Sequence, residues 1–441
     1  MEITLDSYRH ENKVASLESG AIQKAIDSLH AAGGGRVVLK PGTYRCATIY
    51  LRSKVNLHLE EGALILGTGV LDDYPQPEGS FIDAVGDVRG KALIYAEGQS
   101  DFSITGEGIL DGNGGAFPIG SPNHKLRPFL CRLVRCSNVL IEGVGMRAAA
   151  AWTCHLLDCE DVKINCVVID SRVNENNDGI DIDSSRRVKI ENCHISTDDD
   201  AICLKATGHK PCEDITVTDC TLITECAALK IGTESYGDIR KVRMSDCVIP
   251  YAATGAIKIL SSDGAIIEDV HISNIQIERA TGPIFIRLGE RGRTYEKNAV
   301  SKKAGKIKGL TLRNISAKTF IPPKDIAQPF TGEIMPARAF SGVFITGLPD
   351  HHVEDILFEN IQIEFTGTGV PEDIGRTLPE QPAMYPELFY FGALPAYGFY
   401  FRHARNIKLN NVRATLTHKD ARPLLAIDDV HNLDATGLCG Q

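Results

Sequence analysis

The chain has 441 residues, with 41 glycines, 13 cysteines, one tryptophan and a formal net charge of −10 at pH 7. This negative charge argues against a surface that binds the phosphates of nucleic acids. The sequence also has no run of about 18 apolar residues that could cross a membrane, so we expect neither a nucleic acid nor a membrane as a partner.

The first ten residues lack the basic and then apolar pattern of a secretion signal. The 13 cysteines form no CxxC pair and lie mostly in apolar patterns, which predicts buried free thiols and not zinc ligands or disulfides. We therefore expect a protein of a reducing compartment, the cytoplasm. A secretion signal cleaved from a longer precursor would leave the same sequence.

Residues 19–32 have the apolar spacing of a helix, which is predicted to end at the three glycines 33–35. Its apolar positions are Ile22, Ala25, Ile26 and Leu29. Short strand patterns follow this helix. Because the end of a solenoid must be covered, residues 1–70 are predicted to form an N-terminal cap with the first strands.

From residue 139 onward one pattern recurs nine times, with apolar residues alternating with polar ones on both sides of a polar or small residue. The nine segments start at Val139, Val162, Val188, Ile215, Val242, Val270, Leu310, Ile356 and Ile407, at spacings of 23 to 51 residues. Alternation with a period of two indicates strands. A spacing near 27 suits a β-helix coil of three short strands, whereas a propeller blade needs about 40 residues. The sequence therefore predicts an all-β fold, a single-stranded right-handed parallel β-helix with a short N-terminal helical cap.

The polar residue at the bend of each repeat predicts a ladder of side-chain hydrogen bonds between coils. Its members are Asn192, Asp219, Asp246, Asn274, Asn314, Asn360 and Asn411. The longer spacings late in the chain predict inserted loops at 291–306 and 320–340. We expect one β-helix domain over residues 1–441, in which residues 71–441 form the coils.

Each coil contains a second short strand, and aligning these strands predicts vertical columns of residues about 4.8 Å apart. The central residues are Cys154, Ile180, Ile202, Leu229, Ile257 and Ile284. Two positions earlier, the column reads Trp152, Asp178, Asp200, Ala227, Gly255 and Gly282. One position later, it reads His155, Asp181, Cys203, Lys230, Lys258 and Phe285. Three positions later, it contains Asp183, Lys205 and Arg287.

The columns predict a cluster of three acids, Asp178, Asp199 and Asp200, on one face of the coils. Stacked like charges repel, so fold stability gives no reason for them. A glycosidase needs this arrangement, because one carboxyl group protonates the leaving oxygen while another activates water. The structural alternative is that these aspartates cap backbone groups or form a calcium-binding loop.

We expect an acidic oligo- or polysaccharide to contact side chains around these acids. The candidate substrate-binding residues are Lys258, Lys230, Trp152, His155, Asp181 and Arg287. The lysines suit the carboxylate of a uronate, and Trp152 suits the face of a sugar ring. The alternatives are solvated charges for the two lysines, a cap on the core for Trp152 and a packed turn residue for His155.

With these motifs the sequence resembles glycoside hydrolase family 28, which contains polygalacturonases and rhamnogalacturonan hydrolases. The resemblance rests on AIQKAID, GGGRVVLKPGTY and LHLEEGALILG near the N-terminus, on NNDGIDID around Asp178 and on STDDDAI around Asp199 and Asp200. It implies a pectate-lyase-like solenoid and a hydrolysis that inverts the anomeric configuration and needs no metal and no cofactor. It also implies that Asp199 is the general acid, and that Asp178 and Asp200 hold and activate water.

Two motifs differ from those of polygalacturonases. Cys226-Ala227 stands where that group has His-Gly, and Ala256 stands where it has the Arg of Arg-Ile-Lys, of which Lys258 remains. The missing groups grip galacturonate on the leaving-group side, and Cys-Ala is similar to the rhamnogalacturonan hydrolases. We therefore expect cleavage of a galacturonosyl bond to rhamnose or another neutral sugar. The inserted loops favour exo-action on pectic or rhamnogalacturonan oligosaccharides.

Two other classes of function use the same scaffold. A polysaccharide lyase or uronate epimerase abstracts a C5 proton with a basic residue, often with calcium, and the acid-rich centre disfavours it. A non-catalytic sugar-binding β-helix would explain the missing histidine, but the presence of all three aspartates argues against it.

Overall fold

The computed structural model describes residues 1–6, 17–77, 81–82, 88–296, 298–327 and 332–440. The chain forms two compact units, one of residues 1–203 with 215–220 and the other of residues 204–214 with 221–441. The single domain expected from the sequence stays a prediction. Among the described residues, no helix combines the length and apolar character that crossing a membrane requires.

The N-terminal helix spans Ser19–Ala31, and its four predicted apolar positions are all buried, which confirms the expected cap helix. It stops at glycines with positive φ. A Cβ atom on Gly34 would lie 2.6 Å from the carbonyl oxygen of Lys54, so only glycine fits where the chain turns back toward the first strands. Residues 7–16 of the predicted cap lie outside the described residues.

The first unit is a parallel β-helix in which successive coils add strands to three parallel stacks. The first stack contains Glu2–Leu5, Gly35–Leu39, Val55–Leu59, Ser100–Gly106, Ser137–Glu142, Glu160–Asn165 and Arg186–Glu191. The second contains Gly42–Cys46, Ala63–Gly67, Ile109–Asp111, Gly145–Arg147, Val168–Ser171 and His194–Thr197. The third contains Ile49–Tyr50, Ala92–Glu97, Phe129–Val134, Cys154–Leu157 and Ile180–Asp183. Ile202–Ala206 and Cys212–Thr218 have residues in both units.

The second unit repeats this architecture with longer strands that continue through the bend. These strands are Ile239–Ala252, Ile266–Ala280, Lys306–Thr319, Val353–Phe365, Phe399–Leu416 and Leu425–Asp434. Thr221–Thr224 and Leu438–Gly440 pair with the second halves of two of them. The third stack contains Ala227–Ser235, Gly255–Ser261, Ile284–Leu288 and Val343–Thr346, followed by the start of Phe399–Leu416. The predicted parallel β-helix is therefore present in each unit.

The segments between coils contain short elements. The 3₁₀ turns are Leu71–Asp73, Gly114–Ala116, His124–Leu126, Ala337–Phe340, Pro371–Asp373 and Leu388–Phe391. Two antiparallel pairs join Phe81–Ile82 to Val88–Arg89 and Ile326–Ala327 to Ile334–Met335. The predicted insertions at 291–306 and 320–340 lie between strands of the coils, although residues 297 and 328–331 fall outside the described residues.

The predicted ladder is confirmed from Asp246 to Asn411, where each asparagine donates to the residue at the bend of the preceding coil. Asn192 donates over 2.9 Å to Asn165, which lies one position before the bend of its coil. The seven predicted members all have φ between 52° and 56°, a left-handed bend that Asn and Asp tolerate better than other residues with a side chain. The ladder therefore fixes the bend and the register of the coils together.

The thiols also follow the prediction. Ten of the 13 cysteines are buried, Cys226 is half-buried, Cys166 and Cys439 are exposed, and all are free. The predicted buried thiols therefore belong mainly to the core of the coils.

Candidate active site

The three predicted acids lie together in the first unit. The backbone amide of Thr153 donates to the carbonyl of Asp178, and that of Gly179 donates to the carbonyl of Asp200, each over 2.8 Å. Asp178 and Asp200 therefore occupy equivalent positions in adjacent coils, as the column alignment predicts. Asp199 precedes Asp200 in the turn after His194–Thr197.

The three acids differ in exposure and surroundings. Asp178 and Asp200 are 3% and 2% exposed, whereas Asp199 is half-buried. The Asp199 side chain accepts a hydrogen bond at Oδ1 from the backbone amide of Asp200 over 2.8 Å. The Thr197 hydroxyl donates to the Asp199 carbonyl over 2.6 Å and tightens the turn. One carboxyl group is thus open to an incoming molecule, beside two that are sheltered from water.

A layer of polar side chains, which no repeat of the sequence predicted, supports Asp199. Asn176 donates from Nδ2 to Asp199 Oδ2 over 3.3 Å, and its Oδ1 accepts from Arg127 and Arg89 over 3.0 and 3.3 Å. Both arginines are almost completely buried. The asparagine-rich run at residues 174–177, directly before Asp178, is the sequence feature that could have indicated this layer.

In the first unit, the column beside the acids is confirmed in register at His155 and Asp181, and both residues are buried. His155 pairs with Asp181 in the next coil, and both are 0% exposed. The His155 ring lies 5.1 Å from the Trp152 ring, and its Nε2 lies 3.6 Å from Asp183 Oδ2. Substrate contact by His155 and Asp181 stays a prediction, and the structure favours the packed-residue alternative for His155.

Trp152 packs into an aromatic cluster of the first unit. It is 3% exposed, and its ring lies 5.3 Å from that of Phe129. Ala92, Tyr95 and Val134 belong to the same cluster. Because neither ring face is open, the structure favours the core-cap alternative over a platform for sugar stacking.

The two predicted lysines lie in register in the second unit, where Lys230 pairs with Lys258 and Lys258 pairs with Phe285. Lys258 is 0% exposed, and its ammonium group donates to Oε2 of Glu387 and, over 2.9 Å, to the hydroxyl of Thr254. The expected partner of Lys258 was a substrate carboxylate, whereas the structure provides one from its own chain.

Lys230 is also neutralised from within the second unit. Burial alone would raise the pKa of Glu234, but the charges of Lys205, Lys230 and Arg291 lower it overall. Lys205 Nζ lies 3.4 Å from Glu234 Oε2, and both side chains are 4% exposed. The stacked lysines are therefore balanced by buried carboxylates, and ligand contact by Lys230 stays a prediction.

Arg287 has a packing role in the structure. Its guanidinium group donates to the carbonyls of Glu380 and Gln381 and lies 4.5 Å from the ring centroid of Phe391. Burial, together with the positive charge of Arg402, lowers the pKa of Arg287 to about 9. Substrate binding by Arg287 stays a prediction, since the described contacts lie within the chain.

These contacts reveal a further insertion, beyond the two predicted from the sequence. It comprises residues 366–398, between Val353–Phe365 and Phe399–Leu416. It supplies Glu387 to Lys258 and the carbonyls that Arg287 binds. Its Leu388, Phe391 and Leu394 pack on Phe285 and Phe344 of the coils. Within the second unit, this insertion covers Lys258 and the rings of Phe285 and Phe344.

The chain is similar to carbohydrate-active proteins along most of its length. It is 23% identical over 390 residues to the "Probable polygalacturonase" of Vitis vinifera, an alignment that covers 83% of this chain and 78% of that protein. It is 25% identical over 250 residues to the "Exo-poly-alpha-D-galacturonosidase" of Dickeya chrysanthemi, covering 45% of this chain and 41% of that protein.

Solved structures share the fold. An exopolygalacturonase from Thermotoga maritima superposes with a TM-score of 0.66 at 21% identity, covering 94% of this chain and 91% of that chain. The family 28 exopolygalacturonase of Yersinia enterocolitica gives a TM-score of 0.71 at 18% identity, covering 98% and 78%. Residues 81–327, more than half of the chain, match the family described as "Glycosyl hydrolases family 28". The chain is therefore a glycoside hydrolase with a parallel β-helix fold, and it belongs to glycosyl hydrolase family 28.

Proposed function

We propose that this protein hydrolyses a galacturonosyl bond of a pectic oligosaccharide, with Asp199 as the general acid and Asp178 and Asp200 as the pair that activates water. The observation that carries this assignment is the half-buried Asp199 beside the buried Asp178 and Asp200 in adjacent coils. A proton donor must reach the leaving oxygen, whereas the groups that hold water are best sheltered. The names of the relatives from Vitis vinifera and Dickeya chrysanthemi support a galacturonan-type substrate.

Two oxygens of Asp199 are available for the proton, and their surroundings differ. Oδ1 accepts a hydrogen bond of 2.8 Å from a backbone amide, whereas the bond from Asn176 to Oδ2 is longer, at 3.3 Å. We assign the transferred proton to Oδ2, because protonation there weakens only the longer of the two hydrogen bonds. The family's inverting course then requires water to attack the opposite face of the sugar, activated by Asp178 and Asp200.

The leaving sugar in this proposal is neutral, such as rhamnose. Support comes from the buried pair of Lys258 and Glu387, since a lysine already bound to a carboxylate attracts a second one weakly. Cys226 and Ala256 stand where polygalacturonases have the His and Arg that grip a uronate. The neutralised Lys258, the absent His and the absent Arg each lower the positive charge available to a galacturonate in the leaving position.

Exo-action is supported by the insertion at 366–398. An enzyme that cuts within a polymer needs a groove open at both ends, and this insertion covers Lys258 and the neighbouring Phe285 in the second unit. The exo-acting relatives of known structure are consistent with a short substrate. We therefore propose that the enzyme acts on oligosaccharide ends.

A reducing, cytoplasmic location is also part of the proposal. Cys131 and Cys154 lie in register in adjacent coils, where their Cα separation suits a disulfide, yet both are free and buried. Such neighbouring thiols persist most readily where the surroundings keep them reduced.

The substrate is tested with two matched disaccharides, galacturonosyl-rhamnose and digalacturonate. We expect kcat/KM to be at least tenfold higher for galacturonosyl-rhamnose. Equal rates of the wild-type enzyme on both sugars would refute the neutral leaving group, and an unsaturated product would indicate a lyase instead.

A further inference from the structure

The coils near the C-terminus of the chain contain a histidine cluster that is separate from the candidate catalytic acids. Three histidines surround one carboxylate, that of Asp429. His352 Nε2 lies 3.0 Å and His403 Nδ1 lies 2.7 Å from Oδ2, and His431 Nε2 lies 3.1 Å from Oδ1. All four residues belong to the second unit.

The β-helix brings these residues together by stacking equivalent positions. Val353 pairs with Ala404, and Ala404 pairs with Val430. The residues one position earlier, His352, His403 and Asp429, therefore form a column across three adjacent coils. His431 lies two positions beyond Asp429 on the same strand, so it points to the same side as Asp429. Three imidazole groups and one carboxylate group from three coils thus lie close together.

The spacing of the donor atoms matches the coordination shell of a small transition metal ion. The ligand atoms of His352, Asp429 and His431 all lie within 4.8 Å of one another. Zinc binds imidazole nitrogen and carboxylate oxygen at about 2.0–2.2 Å in a tetrahedron, whose edges are then about 3.3–3.6 Å long. The two contacts of 3.0 and 3.1 Å between imidazole and carboxylate are close to such edges, so small side-chain rotations would complete the site.

The cluster also has a supporting partner and an entrance. His403 is held between two carboxylates, Asp429 at Nδ1 and Glu380 at Nε2 over 3.1 Å. Hydrogen bonds of this kind fix the orientation of groups around metal ions. The side chains of His431 and Asp429 are 64% and 34% exposed, so an ion could enter from solvent without unfolding the coils.

We propose that His352, Asp429 and His431 bind one divalent transition metal ion of the zinc type, with His403 positioning the Asp429 carboxylate. Two neutral imidazoles and one carboxylate suit Zn²⁺ better than Ca²⁺ or Mg²⁺, which prefer oxygen ligands. This site does not include the acids to which we assign catalysis, Asp178, Asp199 and Asp200. The expectation that the hydrolysis needs no metal is therefore unaffected.

Isothermal titration of the full-length, tag-free protein with ZnCl₂ tests this site. We expect one ion per chain with a dissociation constant in the micromolar range or below. His352→Ala and His431→Ala should each weaken binding at least tenfold, because each removes one of three ligands, while the exposed His194→Ala in the first unit leaves it unchanged. Zinc should also raise the melting temperature of the wild-type protein and of His194→Ala, but not of His431→Ala.

Cobalt distinguishes this site from binding at exposed cysteines. The Co²⁺ complex should lack the near-ultraviolet charge-transfer absorption of a thiolate ligand, and Cys439→Ser should leave the titration unchanged. If zinc does not bind in a saturable way, or binds equally well to His352→Ala and His431→Ala, the proposal is refuted. Because His431 is mostly exposed, His431→Gln is expected to fold and provides a second removal of the same ligand.

Discussion

The side-chain amide of Asn176 donates a hydrogen bond from Nδ2 to Oδ2 of Asp199 over 3.3 Å. Its orientation is fixed, because the amide oxygen accepts from two arginine side chains, and guanidinium groups can only donate. The buried arginines therefore hold the amide nitrogen toward the acid that we assign to proton donation. Asn176 acts through Asp199 and is a positioning residue.

Asn176→Ala should lower kcat by about 10- to 100-fold while changing KM less, because a displaced acid slows the proton transfer more than it weakens binding. Steady-state kinetics on galacturonosyl-rhamnose measures both constants, and melting curves confirm that the variant is folded. The loss should be small on an activated aryl galacturonide, which needs little protonation. An unchanged kcat in a folded variant would show that Asp199 does not depend on this amide.

The buried charges around Lys230 predict a pH-dependent contribution to stability. Glu234→Gln leaves Lys205 and Lys230 without this carboxylate, so the free energy of unfolding at pH 7 should fall by about 3–5 kcal/mol. The folded-state pKa of Glu234 is lowered, so its stabilising effect is complete above the unfolded value of about 4.3. This effect is lost as the pH falls through the lower folded-state pKa.

Urea unfolding of the wild-type protein and of Glu234→Gln at pH 7 and near pH 3 checks this expectation. The difference between the two proteins should be large at pH 7 and should shrink at the lower pH. A difference that stays constant across this range would mean that the ionised carboxylate does not provide the stabilisation.

The asparagine ladder allows two contributions to be separated at one exposed position. Asn314→Gly removes the hydrogen bonds to Asn274 and Asn360 and keeps the left-handed bend accessible, at a cost of about 0.5–1.5 kcal/mol for each bond. Asn314→Ala should cost about 1–2 kcal/mol more, because φ at this position is 53°. Urea midpoints of the two variants provide the comparison, and alanine as stable as glycine would contradict the role of the bend.

The sequence predicted the features that depend on periodicity. Apolar alternation identified the strands, the polar residue at each bend identified the ladder, and alignment of the second strands placed Asp178 and Asp200 in adjacent coils. These features could be predicted because a parallel β-helix stacks equivalent positions, so one short pattern determines many contacts.

The contacts made by inserted loops could not be predicted in this way. Lys258 and Glu387 are 129 residues apart in sequence, and the insertion that carries Glu387 follows no repeat. The column alignment predicted the face of the coil on which Lys258 lies, but it could not predict that the insertion covers this lysine. Arg287 was expected near a substrate for the same reason, whereas it binds carbonyls of this insertion. Trp152 was also expected there, but it packs against aromatic and apolar residues of neighbouring strands, whose side-chain packing the column alignment does not show.

The catalytic assignment is tested most directly by the turnover of Asp199→Asn on two leaving groups, galacturonosyl-rhamnose and an activated aryl galacturonide. Asparagine keeps the shape but cannot protonate the leaving oxygen, so turnover on the disaccharide should fall by about 10²–10⁴, with a much smaller loss on the aryl substrate. Asp178→Asn and Asp200→Asn should slow both substrates alike, because each still needs activated water. A folded Asp199→Asn enzyme with near-normal turnover on the disaccharide would contradict the assignment of the acid.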